Sequence, residues 1–442
     1  MGRPSTTRSL AVWMNRERVG LWSARPQSRH EFRYDASWLE SDAARPISIS
    51  LPLAPAEYAY TGEQVEAFFD NLLPDSADIR RRIRQRYGAA STSPFDLLSE
   101  IGRDCVGAVQ LLAPEESPMD VKRIDGRELT DAEIETVLRN VPATRLGAQE
   151  GDEGFRISLA GAQEKTALLR IEDRWLLPSG STPTTHILKL PLGRIGTMGV
   201  DMSLSIENEW LCSRIVQAMG FQVARCEVAR FGEQKALIVE RFDRRRSPDG
   251  SWILRLPQED LCQALGVPPG RKYESEGGPG IEEIMSLLRG ARDPIQDREI
   301  FLRVQILFWL LAASDGHAKN FSVFLERGGQ YRLAPLYDIM SAYPILGHGA
   351  GRIPEEKLKM AMAAWGKSRH YEWRKIEPRH WIKTASDCGL AGSAEGMLGD
   401  MAARVPAALE SVARNLPSGF PAEISDSILE HTQKSAELLK NG

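Results

Sequence analysis

The segment Ser314-Asp315-Gly316-His317-Ala318-Lys319-Asn320 decides how the rest of this sequence is read. Its Asp and Asn form a D-x-x-x-x-N pattern, the core of a phosphoryl-transfer loop. That chemistry needs an Asp facing the hydroxyl that attacks, and an Asn turned back to ligate Mg2+ beside the same γ-phosphate. Taken alone, the pair reads equally well as an Asp-Gly turn with a structural Asn. The segment directly follows Val304–Ala313, the most apolar run of the chain. That run is far below the ~20 residues of a membrane helix, so a buried core helix is expected. Farther on, Tyr337-Asp338-Ile339 follows a short strand and places an Asp where a metal-binding carboxylate belongs. Asp315, Asn320 and Asp338 thus form a candidate two-metal acidic site, with a helix cap ahead of Ile339 as the other role for Asp338.

Upstream, Lys189 lies in the strand-like His186-Ile-Leu-Lys-Leu, where a lysine pairing with α- and β-phosphates would sit. A helix bearing Glu207 and Glu209 follows, and either carboxylate could pair with that lysine, Glu209 being favoured. Leu237-Ile-Val-Glu-Arg-Phe242 reads as a buried strand running into a hinge, with backbone groups of Glu240, Arg241 and Phe242 facing an adenine or simply ending a strand. Ser158-Leu-Ala-Gly-Ala-Gln-Glu-Lys165 is neither G-x-G-x-x-G nor a Walker A. One glycine, Gly161, between small Ala160 and Ala162 still lets backbone N–H groups approach phosphates, and Lys165 adds a point charge.

The chain has 442 residues, with 56 Lys and Arg against 60 Asp and Glu, a net charge of −4. Such balance excludes bulk-charge binding of nucleic acid. Its 42% hydrophobic content, 37 Gly and 26 Pro argue against disorder and fibrous architecture. The five cysteines Cys105, Cys212, Cys226, Cys262 and Cys388 show no metal spacing and read as reduced, mostly buried thiols. With no apolar signal core at the N-terminus, a cytoplasmic protein is expected. Leu10–Met14, a turn at Asn15–Arg18 and Val19–Trp22 predict a hairpin. Pro74-Asp-Ser76 opens a helix capped by Asp75 or Ser76, and Arg80, Arg81, Arg82, Arg84 and Arg86 read as its solvated face. The acidic stretch 114–154 reads as a linker, giving expected divisions at 1–150, 151–250 and 251–442. Strand spacing after residue 150 gives way to helical spacing from Gln258 onward.

Ser158-Leu-Ala-Gly-Ala-Gln-Glu-Lys-Thr-Ala, Thr182-Pro-Thr-Thr-His-Ile-Leu-Lys-Leu-Pro, Val239-Glu-Arg-Phe-Asp-Arg-Arg, Asp315-Gly-His-Ala-Lys-Asn-Phe-Ser and Tyr337-Asp-Ile, in this order, resemble the HipA family. Phe69-Asp-Asn-Leu-Leu-Pro-Asp-Ser76, Phe95-Asp-Leu-Leu-Ser-Glu-Ile-Gly-Arg-Asp and Arg255-Leu-Pro-Gln-Glu-Asp fit as well, so the resemblance covers essentially the whole chain. Its members are serine/threonine kinase toxins of bacterial HipBA modules. The resemblance implies an α+β, two-lobed protein-kinase-like fold, β-rich in its N-terminal part and all-helical in its C-terminal lobe. It implies ATP and Mg2+ as cofactors, Asp315 as catalytic base, and Asn320 and Asp338 as metal ligands. Lys189 would hold ATP phosphates, Ala160, Gly161, Ala162, Gln163, Glu164 and Lys165 would form the phosphate loop, and Glu240, Arg241 and Phe242 the adenine hinge. His317, Ala318, Lys319, Asn320 and Tyr337 would line the nucleotide, and Ser158 matches the serine these kinases phosphorylate on themselves.

The implied partners are an aminoacyl-tRNA synthetase as substrate, typically glutamyl-tRNA synthetase, and a HipB-like helix-turn-helix antitoxin whose complex represses its own operon. Phosphorylating the synthetase would halt translation and produce persistence. The basic stretch Lys357–Lys383 could approach operator DNA, but the family's later basic positions are Ser386 and Gly389 here, so a solvated surface is equally open. Two other readings compete: a small-molecule kinase with the same Asp…Asn…Asp geometry, and a non-catalytic ATP-binding corepressor.

Overall fold

The computed structural model describes residues 7–25, 29–118, 121–142, 158–161, 163–196 and 198–440. The chain separates into two compact units, each assembled from three stretches: 1–190, 229–270 and 323–331, and 191–228, 271–322 and 332–442.

The first unit begins with the expected hairpin, Arg8–Met14 against Glu17–Arg25. Its two turn residues, Asn15 and Arg16, both take positive φ, 46° and 84°, the turn geometry that matches the right-handed twist of paired strands. Arg29–Tyr34, Tyr60–Thr61 and Val109–Leu112 complete a five-stranded sheet. Trp22 stacks on Phe69 at 3.8 Å between ring centroids, in a core shared with Phe32, Phe68 and Phe95. The helix Ala77–Tyr87 is capped by Ser76, whose side chain accepts from the Ile79 N–H, and it buries none of its own residues.

A six-stranded sheet follows, in the order Cys226–Phe231, Gln234–Glu240, His186–Lys189, Lys165–Ile171, Arg174–Pro178, Gly126–Glu128. Its chain returns to this unit at Ala229. The strands around Lys165, His186 and Gln234 fall where sequence spacing expects them, and Leu168, Leu188 and Ile238 pack with Ile134 of the helix Asp131–Asn140. The expected strand from Phe155 lies mostly outside the described residues, and Ser158 and Leu159 belong to no strand.

The second unit is built on helices Ser205–Ala218, Ile281–Leu287, Pro294–Leu310, Pro378–Asp387, Ala394–Arg414 and Ala422–Lys440. Val304–Ala313 is buried throughout except for Gln305's polar character, and even that side chain is 2% exposed. The expectation of an all-helical C-terminal part is corrected: Lys359–Trp365 pairs with Arg369–Glu372. Lys-Met-Ala-Met-Ala-Ala favours a helix by propensity, and strand pairing in the tertiary context overrides it. The boundary expected near residue 150 falls outside the described residues, and the described residues on either side of it, through Leu190, belong to one unit. All five cysteines are buried, and among the described residues no helix is long and apolar enough to cross a membrane.

Candidate active site

In the second unit the apolar helix Pro294–Leu310 delivers the chain into the Asp315 loop. Gly316 lies flat on the Phe308 ring, where a Cβ would come within 2.3 Å, so no other residue fits there unmoved. The Asp315 carbonyl accepts from the His317 N–H at 2.8 Å and from the Asn320 side-chain amide at 2.8 Å. The loop is thereby curled so that Asp315 and Asn320 face one another across their own backbone. Asp315 is exposed, whereas His317, Ala318, Lys319 and Asn320 are buried. Tyr337 Oη donates to the Lys319 carbonyl at 2.8 Å and meets Ser322 Oγ at 2.6 Å, tying the second motif to the first. Asp338 stands beside it with φ 59°, a left-handed conformation that Asp tolerates better than most side chains.

Sequence reasoning missed two residues here. Tyr273 Oη donates to Asp315 Oδ1 at 2.6 Å. Asn208, buried in the helix Ser205–Ala218, donates to the Ser341 carbonyl at 2.8 Å and accepts from the Ser341 N–H at 2.8 Å, pinning the segment that follows Asp338. Asn208 had a signal, being a polar residue inside a helix that is buried from Ser205 to Ser213. Tyr273 had none, because its glycine-rich surroundings have no periodicity.

The first unit carries the other candidates. Ser158 is fully buried; its N–H donates to the Asp104 carbonyl at 3.1 Å and its Oγ to the Leu72 carbonyl at 2.7 Å. Gly161, at φ 102°, bridges in parallel to Pro74 and accepts from the Asp75 N–H at 3.1 Å. Glu164 pairs with Arg82, so one arginine of the expected solvated face holds the loop instead. Gln163 Nε2 donates to the Leu190 carbonyl at 2.6 Å. Ala160 is half-buried, and Ala162 lies outside the described residues. Lys165 stands directly across from Lys189 in adjacent antiparallel strands.

Of the hinge residues, Glu240 is exposed at its strand end, and Phe242 meets Phe324 edge-on at 5.7 Å. Arg241 does other work. Its N–H donates to the Thr185 carbonyl at 2.9 Å, so that amide is already used within the sheet. Its guanidinium grips Asp243 at 3.0 and 2.8 Å inside a cluster with Arg244, Arg255 and Asp104, all at least nine-tenths buried. Asp104 also accepts from the Thr184 N–H at 3.0 Å and hydroxyl at 2.7 Å. Burial opposes ionisation of Asp104, yet Arg244, Arg241 and Arg255 together hold its carboxyl well below the usual range. Burial pushes the adjacent Cys105 thiol up to about 12.

Lys189 and the loop from Ser158 therefore belong to one unit, and Glu207, Glu209 and the Asp315 loop to the other. Among the described residues no three His, Cys, Asp or Glu side chains group as a metal site of their own. An Asn and an Asp suit a Mg2+ that arrives on a nucleotide, since that ion keeps waters and phosphate oxygens and needs one or two protein oxygens. The basic stretch is largely matched by acids: Arg369 with Glu274 and Glu282, Arg374 with Glu355, Lys375 with Glu372, Arg379 with Glu377, Lys383 with Asp387.

This architecture is the α+β, kinase-like class. The family model described as the HipA-like C-terminal domain matches residues 157–409, and that of the HipA N-terminal domain matches residues 10–112. The chain belongs to the HipA family. A Sinorhizobium fredii (strain NBRC 101917 / NGR234) protein named "Putative kinase Y4mE" is 38% identical over 352 residues, 77% of this chain and 79% of that one. The serine/threonine-protein kinase toxin HipA of Shewanella oneidensis is 28% identical, covering 70% of this chain and 69% of its own. The solved Shewanella oneidensis MR-1 HipA, from its complex with HipB and operator DNA, matches over 98% of each chain at a TM-score of 0.78 and 24% identity. At that identity the likeness establishes the shared fold.

Proposed function

We propose that this chain is an ATP- and Mg2+-dependent serine/threonine protein kinase acting as the toxin of a toxin–antitoxin pair. The observation that carries the reading is the curled loop in which Asp315 stands exposed while Asn320 is folded back onto its carbonyl. A target hydroxyl can reach that carboxylate, and Asn320 and Asp338 offer oxygens to the metal that accompanies the γ-phosphate. Lys165 and Lys189 supply fixed positive charge for the phosphates.

The substrate is an aminoacyl-tRNA synthetase, glutamyl-tRNA synthetase first, whose loss stalls translation and leads to persistence. A HipB-like antitoxin binds the chain, and the pair represses its own operon. DNA is reached through that antitoxin, a reading favoured by the acids that neutralise the basic stretch Lys357–Lys383. Ser158 is the self-inactivation site. A phosphoserine carries about −1.5 to −2 charges, and the seat that buries Ser158 against the Leu72 carbonyl has room for neither the charge nor the volume. The loop must leave that seat to be phosphorylated and cannot return to it afterwards, which takes the phosphate loop away from ATP.

The test is incubation with ATP and Mg2+, with and without glutamyl-tRNA synthetase, followed by phosphosite mass spectrometry. Phosphate on Ser158 and on the synthetase, both lost in Asp315→Asn, is the expected result. Phosphate on Ser158 alone would discard the synthetase. Transfer to a small alcohol in place of protein would favour a small-molecule kinase, and ATP binding without any transfer would favour a corepressor.

A further inference from the structure

One oxygen of the exposed Asp315 carboxylate is already engaged, by the Tyr273 hydroxyl at 2.6 Å. The partners are 42 residues apart, so the contact is not a by-product of local loop geometry. Both hang from one strand. In Lys359–Trp365, the Ala361 N–H donates to the carbonyl of Ser314, next to Asp315, at 2.9 Å. The Ala363 N–H donates to the carboxylate of Glu274, next to Tyr273, at 2.7 Å. N–H groups two residues apart on a strand point to the same edge, so this strand sets the spacing between the two backbones.

Glu274 is held a second time by Arg369. It also fills the space beside Gly280, where a Cβ would come within 2.4 Å of its carboxyl carbon. The Tyr273 ring meets His317 edge-on at 5.0 Å, and the Lys272 ammonium lies 5.5 Å from its centroid. The hydroxyl is therefore aimed.

We propose that Tyr273 is a positioning residue for phosphoryl transfer, its hydroxyl locking the Asp315 carboxylate so that Oδ2 faces the attacking hydroxyl. This rests on the kinase reading above. An ionised carboxylate only accepts hydrogen bonds, and its terminal torsion is broad when nothing holds it. A donor fixed on Oδ1 removes that freedom and leaves Oδ2 for the substrate. In the reaction the substrate oxygen forms its bond to the γ-phosphorus as the bond to the bridging oxygen of ATP breaks. The electron pair leaves on ADP, the substrate hydroxyl proton passes to Oδ2, and Tyr273 keeps its own proton throughout.

Tyr273→Phe deletes the hydroxyl and keeps the ring contacts. Its kcat and KM for ATP are measured beside wild type, Asp315→Asn and the double variant, with Tm for each. The expected result is a kcat lower by about tenfold, the scale of one lost orienting contact, with KM for ATP and Tm unchanged. In the Asp315→Asn background the substitution adds nothing, because the two residues act as one unit. A kcat equal to or above wild type, or the same loss in the Asp315→Asn background, would overturn the proposal while leaving the kinase reading intact. A wild-type protein that transfers no phosphate would overturn both.

Discussion

Two charged constellations, one in each unit, show how differently the same side chains are used. Asp104 and Asp243 are locked among Arg241, Arg244 and Arg255, each at least nine-tenths buried and held by several hydrogen bonds. Asp315 stands exposed, with one side-chain partner, Tyr273 Oη, described at its carboxylate. The first arrangement has strong fields and no access; the second has access and restrained geometry. Perturbed ionisation is often taken as a pointer to active sites. Here the deep perturbation marks a structural knot that joins the N-terminal segment around Asp104 to the residues just after the strand Gln234–Glu240, and accessibility marks the candidate base.

The contrast is sharpest in Asp315→Asn. Phosphate transfer should fall by about 10²–10⁴-fold, the usual loss for a positioned base, while urea unfolding stays at wild-type values because the side chain is exposed. A matching loss of stability would erase the distinction. Asp104→Ala should do the reverse, destabilising by roughly 3–5 kcal/mol because it strands three buried guanidiniums against one carboxylate. Chemical denaturation measures this, and a well-folded variant of unchanged midpoint would show that the knot carries no stability.

The two acids Asp104 and Glu259 should separate by pH within the first unit. The folded pKa of Asp104 lies below its unfolded value, so its stabilisation is present above about pH 4 and is lost as pH falls through the folded pKa. Glu259 is the opposite case: burial raises it to about 8. Its neutral form is favoured in the fold, so stability is complete below the unfolded value and declines as pH rises toward 8. Glu259→Gln should therefore gain roughly 1–3 kcal/mol over wild type near pH 8.5, on the scale of 1.36 kcal/mol per pKa unit, with no gain at pH 4. Thermal melts across that range decide it, and a pH-independent difference would refute the assignment.

The smallest effect on stability should come from Arg82→Ala. The ion pair with Glu164 is partly exposed, at 23% and 29% for the two side chains, so its loss should cost under about 1 kcal/mol. The loop from Ser158 to Lys165, proposed above as the phosphate loop, would nevertheless leave its seat more often, and Ser158 should be phosphorylated a few-fold faster in a mass-spectrometric time course. An unchanged rate would mean that Ser158, Gly161 and their backbone bonds hold the loop without Arg82.

Much of the fold was legible in local pattern. Alternation made the first hairpin readable, Ser76 announced a helix start, and the apolar run before Asp315 announced a buried helix. The strand Lys359–Trp365 was not legible, because Met and Ala carry no strand preference; it pairs with the nearby Arg369–Glu372, and its Ala361 and Ala363 N–H groups are taken by Ser314 and Glu274, which are distant in sequence. Within the site, the loop Asp315–Asn320 and the Tyr337-Asp338 motif were readable because their spacing is local. The role of the Arg241 side chain was not legible for the opposite reason. The sequence reading concerned its backbone, and Asp104, which draws its guanidinium into a buried knot, lies 137 residues away.

Sequence alone determined the elements whose cause lies within a few residues: the turn at Asn15 and Arg16, the curl from Asp315 to Asn320, and the strand that presents Lys189. Tertiary structure alone decided that Tyr273 meets Asp315 across 42 residues, that Ser158 is sealed against Leu72 across 86, and that Arg82 pairs with Glu164 rather than facing water. Local spacing sets which atoms a residue can reach through its own backbone. Contacts across such separations exist only once packing has overcome the entropy of closing the loops between them.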